Sequence, residues 1–247
     1  MFDSYEQIFA RRADRYEAAM AAFPRARDAE FAAVVDPIPD DAGTIFDMPA
    51  GAGYLRAYLP AGRRYVAVEP AAYFFERCPT GDGAERIQSP VEQVPCPDGT
   101  TDVVVSLAGL HHAPDLGAIF RECRRLLRPG GTLIVADVSA GSKPDRFLNV
   151  YVHAHNPMGH EGHFLDAATR PLLEAAGFAV VADEDVTVPW RFADAGEAGA
   201  YCASLFGIEG VDAAQVAAAL DEIVGMSPDT DGVCVNWSLR RIISRAA

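Results

Sequence analysis

Apolar residues along this chain recur with two periods, one helical and one alternating. Phe2, Tyr5, Phe9, Tyr16, Met20 and Phe23 fall near helical spacing among Glu, Arg and Asp, which predicts an amphipathic helix ending at Pro24. A second helix is expected from Ala26 to Val35, and the stretch from Pro37 to Gly43 stops it. Short apolar runs then alternate with helical patterns. Strands are expected from Thr44 to Asp47, Arg64 to Glu69, Glu85 to Gln88, Thr101 to Leu107 and Thr132 to Val138. Helices are expected from Ala71 to Arg77 and from an Asp115 cap to Leu127. Asp166 is expected to cap a further helix that stops at Gly177, followed by a strand from Phe178 to Val188. This alternation predicts an α/β fold with a doubly wound, mostly parallel sheet. Helices from Ala195 to Phe206 and from Ala213 to Val224 precede a last strand, Val233 to Leu239, expected as an antiparallel edge strand.

Length and composition narrow the function. A chain of 247 residues, 50% hydrophobic, buries a large core, which excludes disorder. The net charge of -14 argues against a nucleic-acid or anionic-membrane partner and for a small molecule. Five scattered cysteines (78, 96, 123, 202 and 234) lack C-x-x-C spacing and suit reduced thiols in a cytoplasm. The N-terminal residues lack a basic-then-apolar leader and no run is long enough to span a bilayer, so a soluble, untargeted chain is expected, of unknown oligomeric state.

The chemistry centres on Asp47-Met48-Pro49-Ala50-Gly51-Ala52-Gly53, a glycine turn between the first strand and a helical stretch. Small residues there let a ligand approach backbone amides. A dinucleotide fingerprint requires a third glycine where Arg56 stands, which disfavours a nicotinamide oxidoreductase, and Asp47 would repel a pyrophosphate and attract a cation. In an open α/β sheet the ligand lies beyond the carboxyl ends of the strands. Those ends are Asp47, Glu69-Pro70, Ser89 to Glu92 and Ser106-Leu107-Ala108. Glu69 stands where an acid accepts hydrogen bonds from both ribose hydroxyls, which suits a nucleoside.

Together these residues resemble the class I S-adenosylmethionine-dependent methyltransferases, over about Thr44 to Val188. Asp47 to Gly53 is similar to the family's Asp-x-Gly-x-Gly-x-Gly turn, with Pro49 in the first glycine's place. Val68-Glu69-Pro70, the run from Pro97 to Val104 and the run from Leu126 to Leu133 resemble its later motifs in the same order. The resemblance is to the small-molecule, quinone-biosynthesis-like branch. It implies a seven-stranded Rossmann-like sheet divided as helical lid 1–40, cofactor core 43–188, helical cap 189–231 and final strand 232–247. It also implies S-adenosylmethionine as cofactor, with its methionine end held by amides near Ala50 and Gly51 and its ribose by Glu69. The family's adenine acid is replaced by Ser89, so Ser89 and the amides of Val91 and Glu92 are expected to meet adenine. The implied activity is methyl transfer to an oxygen, nitrogen or carbon of a ring-containing metabolite.

Histidine is the natural base for deprotonating an acceptor near neutral pH. All six histidines fall in two places: His111-His112, and His153, His155, His160 and His163. His153, His155, His111 and His112 are candidate catalytic residues. His160 and His163, with Tyr5, Phe9, Tyr16, Trp190 and Tyr201, are candidate acceptor-binding residues. The cluster from His153 to His163 is also readable as structural or as a metal site, although no cysteine or acid completes a familiar ligand pattern. A non-catalytic cofactor-binding subunit is the remaining alternative, motivated by Pro49 and the missing adenine acid.

Overall fold

The computed structural model describes residues 5–247, with side chains from Arg12 onward, so the side chains of Phe2, Tyr5 and Phe9 lie outside the described residues. The strands are β1 (Thr44–Asp47), β2 (Arg64–Val68), β3 (Ala84–Ile87), β4 (Thr101–Leu107), β5 (Leu127–Asp137), β6 (Phe178–Thr187), β7 (Trp190–Phe192), β8 (Met226–Asp229), β9 (Gly232–Val235) and β10 (Ser238–Ala246). Seven of them form one sheet in the order β3-β2-β1-β4-β5-β10-β6, parallel except for β10, which runs antiparallel to both neighbours. The expected seven-stranded, mostly parallel sheet is therefore present.

Period-two alternation in the central strands feeds two cores. Ile45, Val103 and Val105 face one side, where α1 (Tyr5–Ala22), α2 (Asp28–Val35) and the helices Ala195–Leu205 and Ala213–Ile223 pack. Phe46, Val104 and Leu133 face the other, under the helices Leu116–Leu126 and Thr169–Ala175. Asp115 caps the first of these by accepting from the Ala118 amide. Asp166 instead forms a turn, accepting from the Ala168 amide, and the helix starts at Thr169.

The last strand differs from expectation in place and extent. The run Val233 to Leu239 is broken at Trp237, which is buried against Trp190 with ring centroids 4.2 Å apart. Residues before the break join β7 and β8 in a separate three-stranded antiparallel sheet. Residues after it form β10, which is not an edge strand but lies between β5 and β6. Arg240 clamps that position, donating to both oxygens of Asp183 on β6 at 2.8 and 2.9 Å.

Among the described residues no helix is long and apolar enough to cross a membrane.

Candidate active site

The parallel register brings the ends of β1, β2, β4 and β5 together: Asp47 pairs with Ala67 and Val105, and Leu107 with Ala136. A cleft opens at these ends. Its walls are Asp47, Pro49, Ala50 and Gly51 from the glycine turn, Leu107, Ala108, Gly109 and His112 beyond β4, and Tyr16, Arg27, Phe31, Tyr54 and Phe74 above. The two turns touch, since a Cβ on Gly109 would come within 2.5 Å of Pro49 Cγ. Ala108 takes a left-handed φ of 50°, a strained conformation for a residue with a Cβ, and its amide donates to Ala136 O.

Asp47 is buried and accepts the Tyr65 hydroxyl at 2.7 Å. Burial pushes its carboxyl up to about 7, against that hydrogen bond. Glu69 is fully buried beneath the glycine turn, where its two oxygens accept from the amides of Gly51 and Ala71, each at 2.8 Å. The Gly51 carbonyl accepts from the Cys78 thiol, which burial raises to about 12 and so keeps neutral. The turn is thus fixed from below by an acid and a thiol. Gly51 itself, at φ 55°, has no atom within 4 Å of where a Cβ would project.

One expectation about this turn is corrected. Neither the Ala50 nor the Gly51 amide is turned to a ligand, because the first donates to Val68 O and extends the β1–β2 ladder and the second donates to Glu69. Pro70 follows Glu69 and is half-buried.

The residues named for adenine are not assembled on this cleft. The Val91 side chain packs in the core with Val68 and Leu110, and Glu92 is half-buried beside it. Ser89 borders a different concavity, between the loop after β3 and the helix Leu116–Leu126. Its hydroxyl, like that of Ser106, is buried without a hydrogen-bond partner among the described residues. Alternation along β4 explains Ser106: it shares a face with Val104, whereas Leu107 points to the cleft.

The histidines separate by burial. His153 is exposed, with Nδ1 against His160 O at 2.9 Å, and His155 is half-buried, donating to Tyr151 O at 2.8 Å with its ring tilted against the Tyr151 ring at 4.4 Å. Both hold carbonyls of their own segment, and neither is among the residues that line this cleft. His163 is exposed, and its amide donates to His111 O at 2.8 Å. His111, His112 and His160 converge instead, with one ring nitrogen of each within 4.8 Å of the others. Burial and the neighbouring imidazoles hold His112 and His160 well below the ordinary imidazole range.

Asp137, at the end of β5, organises this cluster. Its oxygens take His111 Nδ1 at 2.9 Å and the amides of Leu110, His111 and Val138. The strand-end rule would have found Asp137 had it been carried on to β5.

Of the aromatic acceptor candidates, Tyr16 lines the cleft, edge-on to Phe74 at 5.6 Å, and its hydroxyl accepts from Arg27 at 2.9 Å. Trp190 and Tyr201 do not line it. Trp190 is buried behind Arg27, donating to Glu30 at 2.7 Å and stacked on Trp237. Tyr201 is fully buried, its hydroxyl on Met20 Sδ at 3.5 Å. A large ring completes a core more readily than a wet wall, and here it does.

Above the cleft, α1 is strapped down by two hydroxyls, Tyr54 to Glu17 and Tyr73 to Asp14. An acid for a cation, an acid fixed beneath a glycine turn, open space over Gly51 and apolar rings above fit a nucleoside with a cationic side chain.

Comparison with known proteins agrees. Residues 46–135 match the model of a methyltransferase domain. The chain is 44% identical over 94 residues to the uncharacterized protein YafE of Escherichia coli, covering 38% of this chain and 45% of that protein. It is 39% identical over 80 residues to the ubiquinone/menaquinone biosynthesis C-methyltransferase UbiE of Hahella chejuensis, covering 32% of each. The matches thus span less than half the length of these relatives. Among solved structures, a SAM-dependent methyltransferase of Thermotoga maritima, described as a possible histamine N-methyltransferase, superposes with a TM-score of 0.66 at 17% identity, over 97% of this chain and 99% of that one. That likeness is one of fold. Residues 46–135 carry a methyltransferase domain, and by its motifs and its sheet the chain is similar to the class I S-adenosylmethionine-dependent methyltransferases.

Proposed function

We propose that this protein transfers a methyl group from S-adenosylmethionine to an oxygen, nitrogen or carbon of a small, ring-containing metabolite bound between the glycine turn and the histidine cluster. The observation that carries this reading is the contact of Pro49 with Gly109, which sets the Asp47 side of the cleft directly against the His112 side. When bound, S-adenosylmethionine supplies an electrophilic methyl carbon on a sulfonium, which a nucleophile takes by in-line displacement. The protein's task is mostly to hold the partners in line. Asp47 offers a carboxylate to a cation, and Glu69, which accepts the Gly51 and Ala71 amides, holds the turn that the nucleoside approaches. Phe31, Phe74 and Tyr16 exclude water and favour a flat apolar acceptor. Ala108, Gly109 and His112 form the wall against which that acceptor rests.

The test is a mass-spectrometric screen of metabolite fractions incubated with the full chain and S-adenosylmethionine. Products heavier by one methyl group, absent with Glu69→Ala, are expected. Tight cofactor binding with no methylated product from any fraction would favour the non-catalytic alternative and overturn the proposal.

A further inference from the structure

Two sequence neighbours and one distant residue form the histidine cluster. His111 and His112 lie on a single 3-10 turn, Leu110–His112, yet their ring centroids are 4.1 Å apart. His160 arrives from the far side of the 153–163 segment, 5.7 and 5.5 Å from those rings.

The hydrogen bonds around the cluster fix which ring nitrogen donates in two of its members. An ionised Asp137 can only accept, so His111 donates to it through Nδ1, which leaves Nε2 as the nitrogen that can ligate. The partner of His160 Nδ1 is Asn149 Oδ1 at 3.0 Å. That amide cannot be turned round, because its oxygen also accepts from the Gly162 amide at 2.7 Å while its nitrogen donates to Asp145 and to Gly162 O. His160 therefore also donates through Nδ1 and carries its lone pair on Nε2. Among the described residues the hydrogen bonds of both rings run through Nδ1 alone. A carboxylate or an amide oxygen behind Nδ1, with the opposite nitrogen basic, is the arrangement that orients metal-binding imidazoles. Asn149 projects from the π-helical turn Phe147–Val152, so a local irregularity in the helix supplies one of these supports.

We propose that His111, His112 and His160 form a three-histidine site for a divalent transition cation of the zinc class, supported by Asp137 and Asn149. Three imidazoles suit zinc, cobalt or nickel rather than magnesium or calcium, which require oxygen ligands. Ligand nitrogens around a tetrahedral zinc stand about 3.4 Å apart, against a present spacing within 4.8 Å, so the rings would draw together as the cation binds. Three protein ligands leave a fourth position, and His112 lines the cleft, so that position is available to an oxygen of a bound molecule. The site differs from a cluster built on His153 and His155, which are tied to local backbone. It stands whether or not the chain transfers methyl groups, because its test reads the cation.

The full chain, stripped with a chelator, is titrated with Co2+ and the visible absorption recorded, with Zn2+ added in competition. One Co2+ per chain with the intense bands of a tetrahedral site, displaced by one Zn2+, is expected. His160→Ala and His112→Ala should weaken binding by at least tenfold, Asn149→Ala by roughly 10- to 100-fold, and His153→Ala should leave it unchanged. X-ray absorption on the zinc-loaded native chain reports the ligands without any variant, and should find three imidazole nitrogens at about 2.0 Å. No saturable Co2+ binding, fewer than three imidazoles, or equal loss in His153→Ala would overturn the assignment.

Discussion

Replacing Asp47 with asparagine isolates the buried carboxylate that, among the described residues, lies in the wall of the cleft. In the native chain burial lifts its pKa from 3.8 to about 7, with the Tyr65 hydroxyl opposing the rise. A folded value above the unfolded one means that the folded chain holds the proton more tightly. Its contribution to stability is therefore complete below the unfolded value and is lost as pH rises through the folded one. At about 1.4 kcal/mol per tenfold step, a rise from 3.8 to about 7 makes that loss about 4 kcal/mol. Asparagine keeps an oxygen for Tyr65 and has no proton to lose. Urea unfolding of both proteins between about pH 4 and pH 8 should show the difference moving by about 4 kcal/mol in favour of Asp47→Asn as pH rises. The same carboxylate should couple to ligand charge. A cationic ligand favours the ionised form, so calorimetric affinity for S-adenosylmethionine should fall toward tenfold per pH unit below about pH 7 and stay flat in Asp47→Asn. A stability difference independent of pH would refute the assignment of the raised value to Asp47. An affinity slope shared by both proteins would refute its role toward the cation.

Glu69→Gln sets an amide nitrogen against one of the two backbone N–H groups that Glu69 now accepts; losing a charge-assisted bond worth about 1.5–3 kcal/mol should weaken cofactor binding by roughly 10- to 100-fold in calorimetry. Gly109→Ala places a Cβ on Pro49 and should cost about 1–3 kcal/mol in thermal unfolding, whereas Ala108→Gly relieves its left-handed backbone and should gain about 1 kcal/mol. The double variant Tyr54→Phe with Tyr73→Phe removes both straps on α1, and hydrogen exchange in that helix should quicken by more than twofold without change in the central strands.

Much of this fold was legible because strand ends and strand faces leave separate marks. Val103 to Val105, buried on both faces, could only be central, and Asp47, Glu69 and Leu107 stood at predicted strand ends. The sheet's last strands were not legible. The run through Trp237 reads as continuous β pattern, and only packing on Trp190 breaks it into pieces of two sheets. The histidines illustrate a second limit. Their density between 153 and 163 pointed to that segment as a unit, but a helix end and a loop turn successive rings in different directions, and His160 is the one whose ring nitrogen gathers with those of His111 and His112 among the described residues. The support from Asp137 and Asn149 spans 26 and 11 residues, beyond any local pattern. The Ala50 amide was misassigned because strand pairing continues past Asp47, which depends on register rather than on residue type.

The central claim is that the turn from Asp47 to Gly53, set over Glu69, holds S-adenosylmethionine. Isothermal titration of that compound into the native chain and into Gly51→Val tests it most directly. Gly51 faces open space at a φ of 55°, so valine there both strains the turn and fills the approach to its backbone. One saturable site per native chain, weakened at least tenfold in Gly51→Val while the unfolding temperature shows the variant still folded, is the predicted result. No binding heat from the native chain, or equal affinity in the two proteins, would contradict it.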